Sequence, residues 1–576
     1  MRFMIRQGLL IGAILAAGAF TQAVAAEAPR YQLTLKPAAP DAQGHVDALD
    51  VSIVEGPVDA PAGAAILRMP LVETNVVTDA TTLQGFSVTD ADGAVPLTTR
   101  DDADAGQTFY RHWVTGRAVH GDLAIRYRAP ITNALPVRGA APPLDMRTDD
   151  GGFGGAGSTF LVLPDSKSPV RFSLKWDLSA LAKGAAAISN FGPGDVAPTA
   201  PIAPERLGSL YVMAGTIGLY PDPAPKQGFM SAWEGHPPFD AAALMAWTKT
   251  LHDAYDGLFH ADSARPYAVF LRRNLVNAGG GVELDGAFIG SWGAKTDSDG
   301  FKVTLAHEML HTYVGGLDTP QGLEGSWFTE GTAVFYARRL ALRFHHISPE
   351  RFLEDLNSTA GRYYSNPLAD APNSEIPKRF WADTRIRVLP YDRGSMYFSV
   401  VDSEVRKASR GKRNLDDLLL SMLARRHAGK PMDQAAWVET VTRALGPRGK
   451  TELEAMLSGA LQLPPSDAFG PCFRRTTKPL RRYELGFDPK VLVEPKRIVR
   501  GLVAGSEAAK AGLHDGDEIL KPVPQDAIQA DQKATLTLDI RRDGRDLAIT
   551  YLPRGETVPA YQWERVRGVP DKTCAL

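Results

Sequence analysis

The sequence predicts a multidomain protein: a β-sandwich-like N-terminal domain, an α+β, mainly helical middle domain, and a small C-terminal domain of short strands. Three observations carry that reading. At 576 residues the chain is too long for one core. From Tyr31 to about Ile188, apolar runs alternate with period two. From Glu330 to about Leu461 helical spacing takes over, and short alternating runs return after Cys472.

Residues 1–26 read as a signal peptide. Arg2 and Arg6 form a basic start, Gly8 to Phe20 an apolar core, and Ala23-Val24-Ala25-Ala26 a small-residue cleavage site. The apolar run falls short of the roughly 20 residues that span a membrane, and no cysteine near the cleavage site could carry a lipid. The expectation is a periplasmic or secreted protein with no stable membrane anchor after cleavage. A net charge of −2 and 23% charged residues give no footprint for nucleic acid or an anionic membrane surface.

The β domain is read over residues 27–200. Tyr31-Gln32-Leu33-Thr34-Leu35 and Leu123-Ala124-Ile125-Arg126-Tyr127 alternate, with turns such as Asp92-Gly93 between such runs. Gly152-Phe153-Gly154-Gly155-Ala156-Gly157 has the dinucleotide G-x-G-x-x-G form. Acidic Asp149-Asp150 precedes it instead of a strand, and Phe160 to Leu163 follows as a strand instead of a helix, so a mobile loop is expected. A proline-rich stretch, Gly192 through Pro204, closes the domain.

The middle domain is read over residues 205–465. Ala241, Leu244, Trp247, Leu251 and Tyr255 recur at helical spacing and predict a helix over Phe239 to Leu258. Tyr267 to Leu271 and Ala287 to Gly290 read as strands. Between them Gly279-Gly280-Gly281-Val282-Glu283 allows close backbone approach to a ligand. Next comes His307-Glu308-Met309-Leu310-His311, with Gly315-Gly316 as a helix stop. On a helix, positions four apart share one face, so His307 and His311 can present two imidazoles to one metal ion. Catalytic zinc takes three protein ligands and keeps one position open. Glu330, in Trp327-Phe328-Thr329-Glu330-Gly331, fits the third place at the head of a second helical stretch, Gly331 to Leu342. Ordinary helix histidines or a structural metal site are the alternatives. Structural zinc favours cysteine, and Cys472 and Cys574 are far along the chain. Two histidines and a carboxylate suit one zinc ion per chain. Leu389 to Tyr397 opens another helix, and Asn414 is a plausible N-cap for the next.

The C-terminal domain is read over residues 473–572. Tyr483 to Phe487 precedes an expected apolar strand, and Thr535 to Tyr551 forms a hairpin turning at Asp543-Gly544. In an exported protein Cys472 and Cys574 are a candidate disulfide, with two free thiols as the alternative.

Together these residues resemble the glycyl aminopeptidase family of gluzincins, zinc peptidases with a thermolysin-like catalytic domain. The H-E-x-x-H at His307 with Glu330 in W-x-x-E-G is shared with the wider clan. Tyr391-Asp392-Arg393-Gly394, then Val401 to Arg406 and Asn414 to Leu418, point to the narrower family. The tail resembles a bacterial-type PDZ domain, with Leu485-Gly486-Phe487 similar to its carboxylate-binding loop and Ala508 to Leu520 similar to its A-x-x-A-G-L-x-x-G-D signature. The resemblance implies zinc held by His307, His311 and Glu330, Glu308 as general base, and Tyr391 as donor to the oxyanion. It implies that Gly280, Gly281 and Glu283 receive the N-terminus of a peptide substrate, Glu283 pairing with the free amine. The family commonly continues with His-Arg, whereas Leu284-Asp285 follow here. Thermolysin-like enzymes can also place a carboxylate one turn after the glutamate ligand, where this chain has Val334. The implied activity is an exported aminopeptidase for small N-terminal residues, with a C-terminal peptide as a ligand of the PDZ domain. The rivals are a periplasmic zinc endopeptidase and a silent peptide-binding scaffold.

Overall fold

The computed structural model describes residues 28–104, 108–135, 141–261, 264–276, 278–318, 322–523 and 525–574. The signal peptide reading therefore lies outside the described residues. Among those described, no helix is long and apolar enough to cross a membrane.

The N-terminal part holds two sheets around one core. The first has six strands in the order Arg171–Trp176, Arg30–Pro37, Ala48–Ala60, Val119–Pro130, Gln84–Asp90 and Gly93–Ala94. The second is built on Ala65–Glu73 and Phe109–Thr115. Alternation places Leu33, Leu35, Val51, Ile53, Leu123 and Ile125 inward against Leu67, Met69 and Trp113.

A third sheet corrects one expectation. The glycine run expected as a mobile loop is a buried strand, Gly152–Ala156, paired with Arg147–Asp149 and with Tyr211–Gly215. Glycine serves close packing here: a Cβ on Gly155 would lie 2.3 Å from the Met146 sulfur, and one on Gly157 would lie 2.8 Å from the Leu207 carbonyl oxygen. Phe160, expected in a strand, ends a four-residue helix, Gly157–Phe160. Tyr211–Gly215 also carries this sheet past the proline-rich stretch.

The third sheet covers one face of the sheet beneath the site. That sheet runs Ile217–Tyr220, Phe229–Glu234, Tyr267–Arg273, Ala287–Trp292 and Gly281–Leu284. Its three middle strands are parallel and both outer pairs are antiparallel. A parallel core buried on both faces explains the unbroken apolar runs. Ala268, Phe270, Ala287 and Ile289 pack on Tyr211 and Met213 of the third sheet, whereas Val269, Leu271 and Phe288 pack on Leu305, Met309 and Leu244 of helices.

Those helices are Ala241–Phe259, Ser298–Val314, Ser326–Arg343, Pro349–Tyr364, Leu389–Ala408, Leu415–His427, Gln434–Leu445 and Pro447–Leu457. Asn414 caps Leu415–His427 in a reciprocal box with Asp417. The C-terminal unit joins Phe473–Tyr483 to Arg554–Arg565 as a long antiparallel ribbon beside a four-stranded sheet. The hairpin expected there is Leu536–Arg542 and Arg545–Tyr551. The apolar strand expected after Phe487 is instead a 3₁₀ helix, Pro489–Val493. Pro489 cannot donate to a ladder, and the Asp488 carboxylate accepts from the Lys490 N–H, which starts the helical turn. Cys472 and Cys574 are joined in a disulfide.

Candidate active site

The site is built where one helix meets the edge of the buried sheet. Asp297 caps Ser298–Val314 by accepting from the Gly300 N–H at 2.8 Å. The helix ends at Gly315, whose φ of 61° lets its N–H return to the His311 carbonyl at 2.8 Å. Between these ends His307 and His311 stand one turn apart on one face, with ring centroids 4.9 Å apart. Helix Ser326–Arg343 delivers Glu330 in its second turn. Glu330 Oε2 lies 3.2 Å from His307 Nε2 and 3.5 Å from His311 Nε2, and the two imidazole Nε2 atoms lie 3.2 Å apart. The three ligand atoms fall within 4.8 Å of one another. Two imidazole nitrogens and one carboxylate oxygen converging in this way suit a zinc ion, and no thiol takes part.

The electrostatics follow from burial. Burial alone would raise Glu330, but the charges of His311 and His307 and their hydrogen bonds hold it well below the usual carboxylate range. Burial opposes charge on His311, yet Glu330 draws its pKa up to about 9. Burial raises the Glu308 carboxyl, against the pull of His307 and His311. That is the direction a general base needs, because a carboxyl poised nearer neutrality can both take and return a proton.

Tyr391 comes from the first turn of Leu389–Ala408. Its ring stacks on His307, centroids 5.9 Å apart and planes 18° apart. Glu283 sits on the edge strand Gly281–Leu284. Burial, only partly offset by His311, pushes its carboxyl up to about 7. One cleft is lined by Gly281, Glu283, Glu308, His311, Glu330 and Tyr391. The structure thus brings His307, Glu308, His311, Glu330, Gly281, Glu283 and Tyr391 together, whereas Gly280 precedes the edge strand, is not among the residues lining the cleft, and accepts from the Ser291 N–H at 2.9 Å. Leu485, Gly486 and Phe487 lie elsewhere. Leu485 and Phe487 are buried in the core of the C-terminal unit, and Gly486 turns with a φ of 90°.

Sequence reasoning missed part of the wall. Thr74 reaches the cleft from a hairpin turn in which Thr74 and Asn75 both have positive φ, 47° and 68°. The Asn75 turn signal was present, but nothing in the sequence tied that turn to a site hundreds of residues away. Phe380, Trp381 and Arg387 also line the cleft and carry no motif.

No protein-family model matches the chain, and no curated protein matches it. Solved structures do. An aminopeptidase N family protein from Idiomarina loihiensis superposes with a TM-score of 0.66 at 14% identity, over 94% of this chain and 99% of that one. The chain shares the fold of that aminopeptidase N family protein. An M1 zinc metallopeptidase from Deinococcus radiodurans, solved as a point mutant bound to a Tyr-Ser-Ala substrate, matches over 76% of this chain and 95% of that one, with a TM-score of 0.47 at 15% identity. The fold shared with the Idiomarina protein spans nearly the whole chain, so the N-terminal sheets and the C-terminal unit belong to one architecture with the helical part.

Proposed function

We propose that this protein is a zinc aminopeptidase. The observation that carries the reading is the convergence of His307, His311 and Glu330 beside Glu308, with Glu283 on the edge strand of the same cleft. His307, His311 and Glu330 would hold the ion, which when bound lowers the pKa of water and polarises the scissile carbonyl. Glu308 takes the proton of the attacking water and passes it to the leaving amine. The Tyr391 hydroxyl donates to the developing oxyanion, an interaction worth about 3 kcal/mol in comparable sites. The outer backbone edge of strand Gly281–Leu284 receives an extended substrate by strand addition.

Glu283 turns this machinery towards the N-terminus. A carboxylate on the strand edge pairs with the α-ammonium and limits how deeply a chain enters. The turn at Thr74 and the segment Ala141 to Pro143 line the same cleft from the N-terminal sheets. An amine anchor on the edge strand of the cleft supports an exopeptidase for small first residues rather than an endopeptidase.

The C-terminal unit enters the proposal as a brace. Its sequence resembles a PDZ domain, but a 3₁₀ helix occupies the place of the strand that would pair with a peptide. Asn357 of Pro349–Tyr364 donates to the Trp563 carbonyl at 2.8 Å and accepts from its N–H at 2.7 Å, acting as one more rung of the ribbon. The disulfide supports export, since such bonds persist in oxidising compartments.

The test is hydrolysis of an unblocked alanine or glycine chromogenic amide beside its N-acetylated twin. Turnover of the free amine alone, abolished by chelation, supports the reading. Equal turnover of both, or cleavage of internal bonds only, overturns it in favour of an endopeptidase.

A further inference from the structure

This inference rests on the zinc aminopeptidase reading and deepens it. We propose that helix Leu415–His427 is a strut that sets the spacing of the zinc ligands, with Arg426 as the positioning residue at its far end.

The three ligands come from two helices. His307 and His311 stand on Ser298–Val314, and Glu330 stands on Ser326–Arg343. Ligand distances at a metal hold to within about 0.2 Å. The glutamate helix must therefore be fixed against the histidine helix, and packing of apolar side chains alone sets no such register.

Leu415–His427 is bonded to both helices. Its first turn meets the glutamate helix. There the Asp416 carboxylate accepts from the Tyr336 hydroxyl at 3.0 Å and from the Arg343 guanidinium at 2.7 Å. The Leu415 N–H donates to Asp402 at 3.1 Å, and Arg339 of the glutamate helix holds the same carboxylate at 2.9 Å. The last turn meets the end of the histidine helix. There Arg426 donates to the Val314 carbonyl at 2.6 Å and, through its other terminal nitrogen, to the Gly316 carbonyl. From Asp416 to Arg426 the helix advances about 15 Å. Between these ends Leu418 and Met422 are buried in one core with Val314 and Tyr336.

Two features single out Arg426. Its guanidinium is committed to carbonyl oxygens at a helix C-terminus, where the open carbonyls and the helix dipole favour a cation. The turn that it grips also touches the other helix. The Gly315 N–H returns to the His311 carbonyl at 2.8 Å, and a Cβ on Gly316 would lie 2.8 Å from Thr329 Oγ1. Thr329 directly precedes Glu330. The grip thus bears on His311 through the helix end and on Glu330 through Thr329. A planar guanidinium reaches both carbonyls at once, whereas a lysine is a point donor.

The test reads zinc binding directly and does not depend on turnover. Metal-free full-length protein is titrated with zinc against a chromogenic chelator, and the Tm of the metal-free protein is read alongside. Arg426→Met should raise the zinc Kd about tenfold or more, and Arg426→Lys should raise it less. Asp416→Ala, at the opposite end, should raise it by a similar factor. The double variant should stay within about twofold of the weaker-binding single variant, because a strut released at one end transmits nothing from the other. At saturating zinc, kcat on an alanine chromogenic amide should fall in Arg426→Met with little change in KM.

An unchanged zinc Kd in Arg426→Met beside a lowered Tm overturns the inference and leaves the arginine a helix cap. Losses that multiply in the double variant overturn the strut. Normal zinc binding by the wild-type protein with no turnover of any amide overturns the aminopeptidase reading alone. No zinc binding by the wild-type protein overturns both. If the methionine variant fails to fold, Arg426→Lys and Asp416→Ala decide the matter by the same titration, and wild-type affinity in both overturns the inference.

Discussion

Gly331 and Gly394 meet backbone against backbone where helix Ser326–Arg343 crosses helix Leu389–Ala408. A Cβ on Gly331 would lie 2.7 Å from the Gly394 Cα, and one on Gly394 would lie 2.5 Å from the Trp327 carbonyl oxygen. Neither approach can be relieved by a flexible side chain. This crossing brings Glu330, next to Gly331, into one cleft with Tyr391, three residues before Gly394. The glycines of the two sequence motifs thus hold Glu330 and Tyr391 in register.

Gly394→Ala should therefore cost more than a methyl group suggests. Overpacking a tight crossing costs about 1–3 kcal/mol. A shift of about 1 Å at reacting groups can cost roughly a hundredfold in rate. The expected outcome is a lowered Tm together with a kcat reduced about tenfold or more. Wild-type kcat in a folded Gly394→Ala protein would show that the crossing does not set the site.

Glu308→Gln should remove the proton acceptor and leave the three ligands in place. Bound zinc, measured by elemental analysis, should stay near one per chain, while kcat falls by about a hundredfold or more. Tyr391→Phe should lower kcat by about a hundredfold with little change in KM, because its hydroxyl acts on the transition state. Loss of zinc in the glutamine variant would instead assign Glu308 a structural part.

Glu283→Gln keeps the shape of the edge strand and removes its charge. The expected result is a KM for unblocked amides raised about tenfold or more, with a smaller effect on kcat. The discrimination between free and acetylated N-termini should shrink in parallel. A variant that still rejects acetylated substrates would move amine recognition to another group.

Much of this was legible in the sequence because the chemistry is local. His307, Glu308 and His311 lie within five residues, and their spacing alone puts them on one helix face. The buried strands Tyr267–Arg273 and Ala287–Trp292 announced themselves as apolar runs. The glycine strand Gly152–Ala156 did not, because its reason lies in Met146, which it approaches too closely for a side chain. Thr74 and Arg387 were hidden for a different reason. They reach the cleft through the packing of whole units, and no local period records which distant surface a turn will face.

A pH effect on stability should arise far from the site, at Glu55. This residue lies on strand Ala48–Ala60, opposite Tyr31, and is 5% exposed. Its Oε2 has no hydrogen-bond partner among the described residues. Burial pushes its carboxyl up to about 8 from an ordinary value of 4.5. Between those values the folded chain binds a proton that the unfolded chain has released. Stability from this group is therefore fully present below about pH 4.5 and is lost as pH rises through about 8, at no more than about 1.4 kcal/mol per pH unit. Glu55→Gln carries a neutral group of the same shape and should abolish that slope. The Tm of the variant should match wild type near pH 5 and exceed it progressively up to pH 8, as read by thermal melts in matched buffers. A difference that does not change with pH would mean that Glu55 ionises in the folded protein as it does in water, and that the strand accommodates its charge.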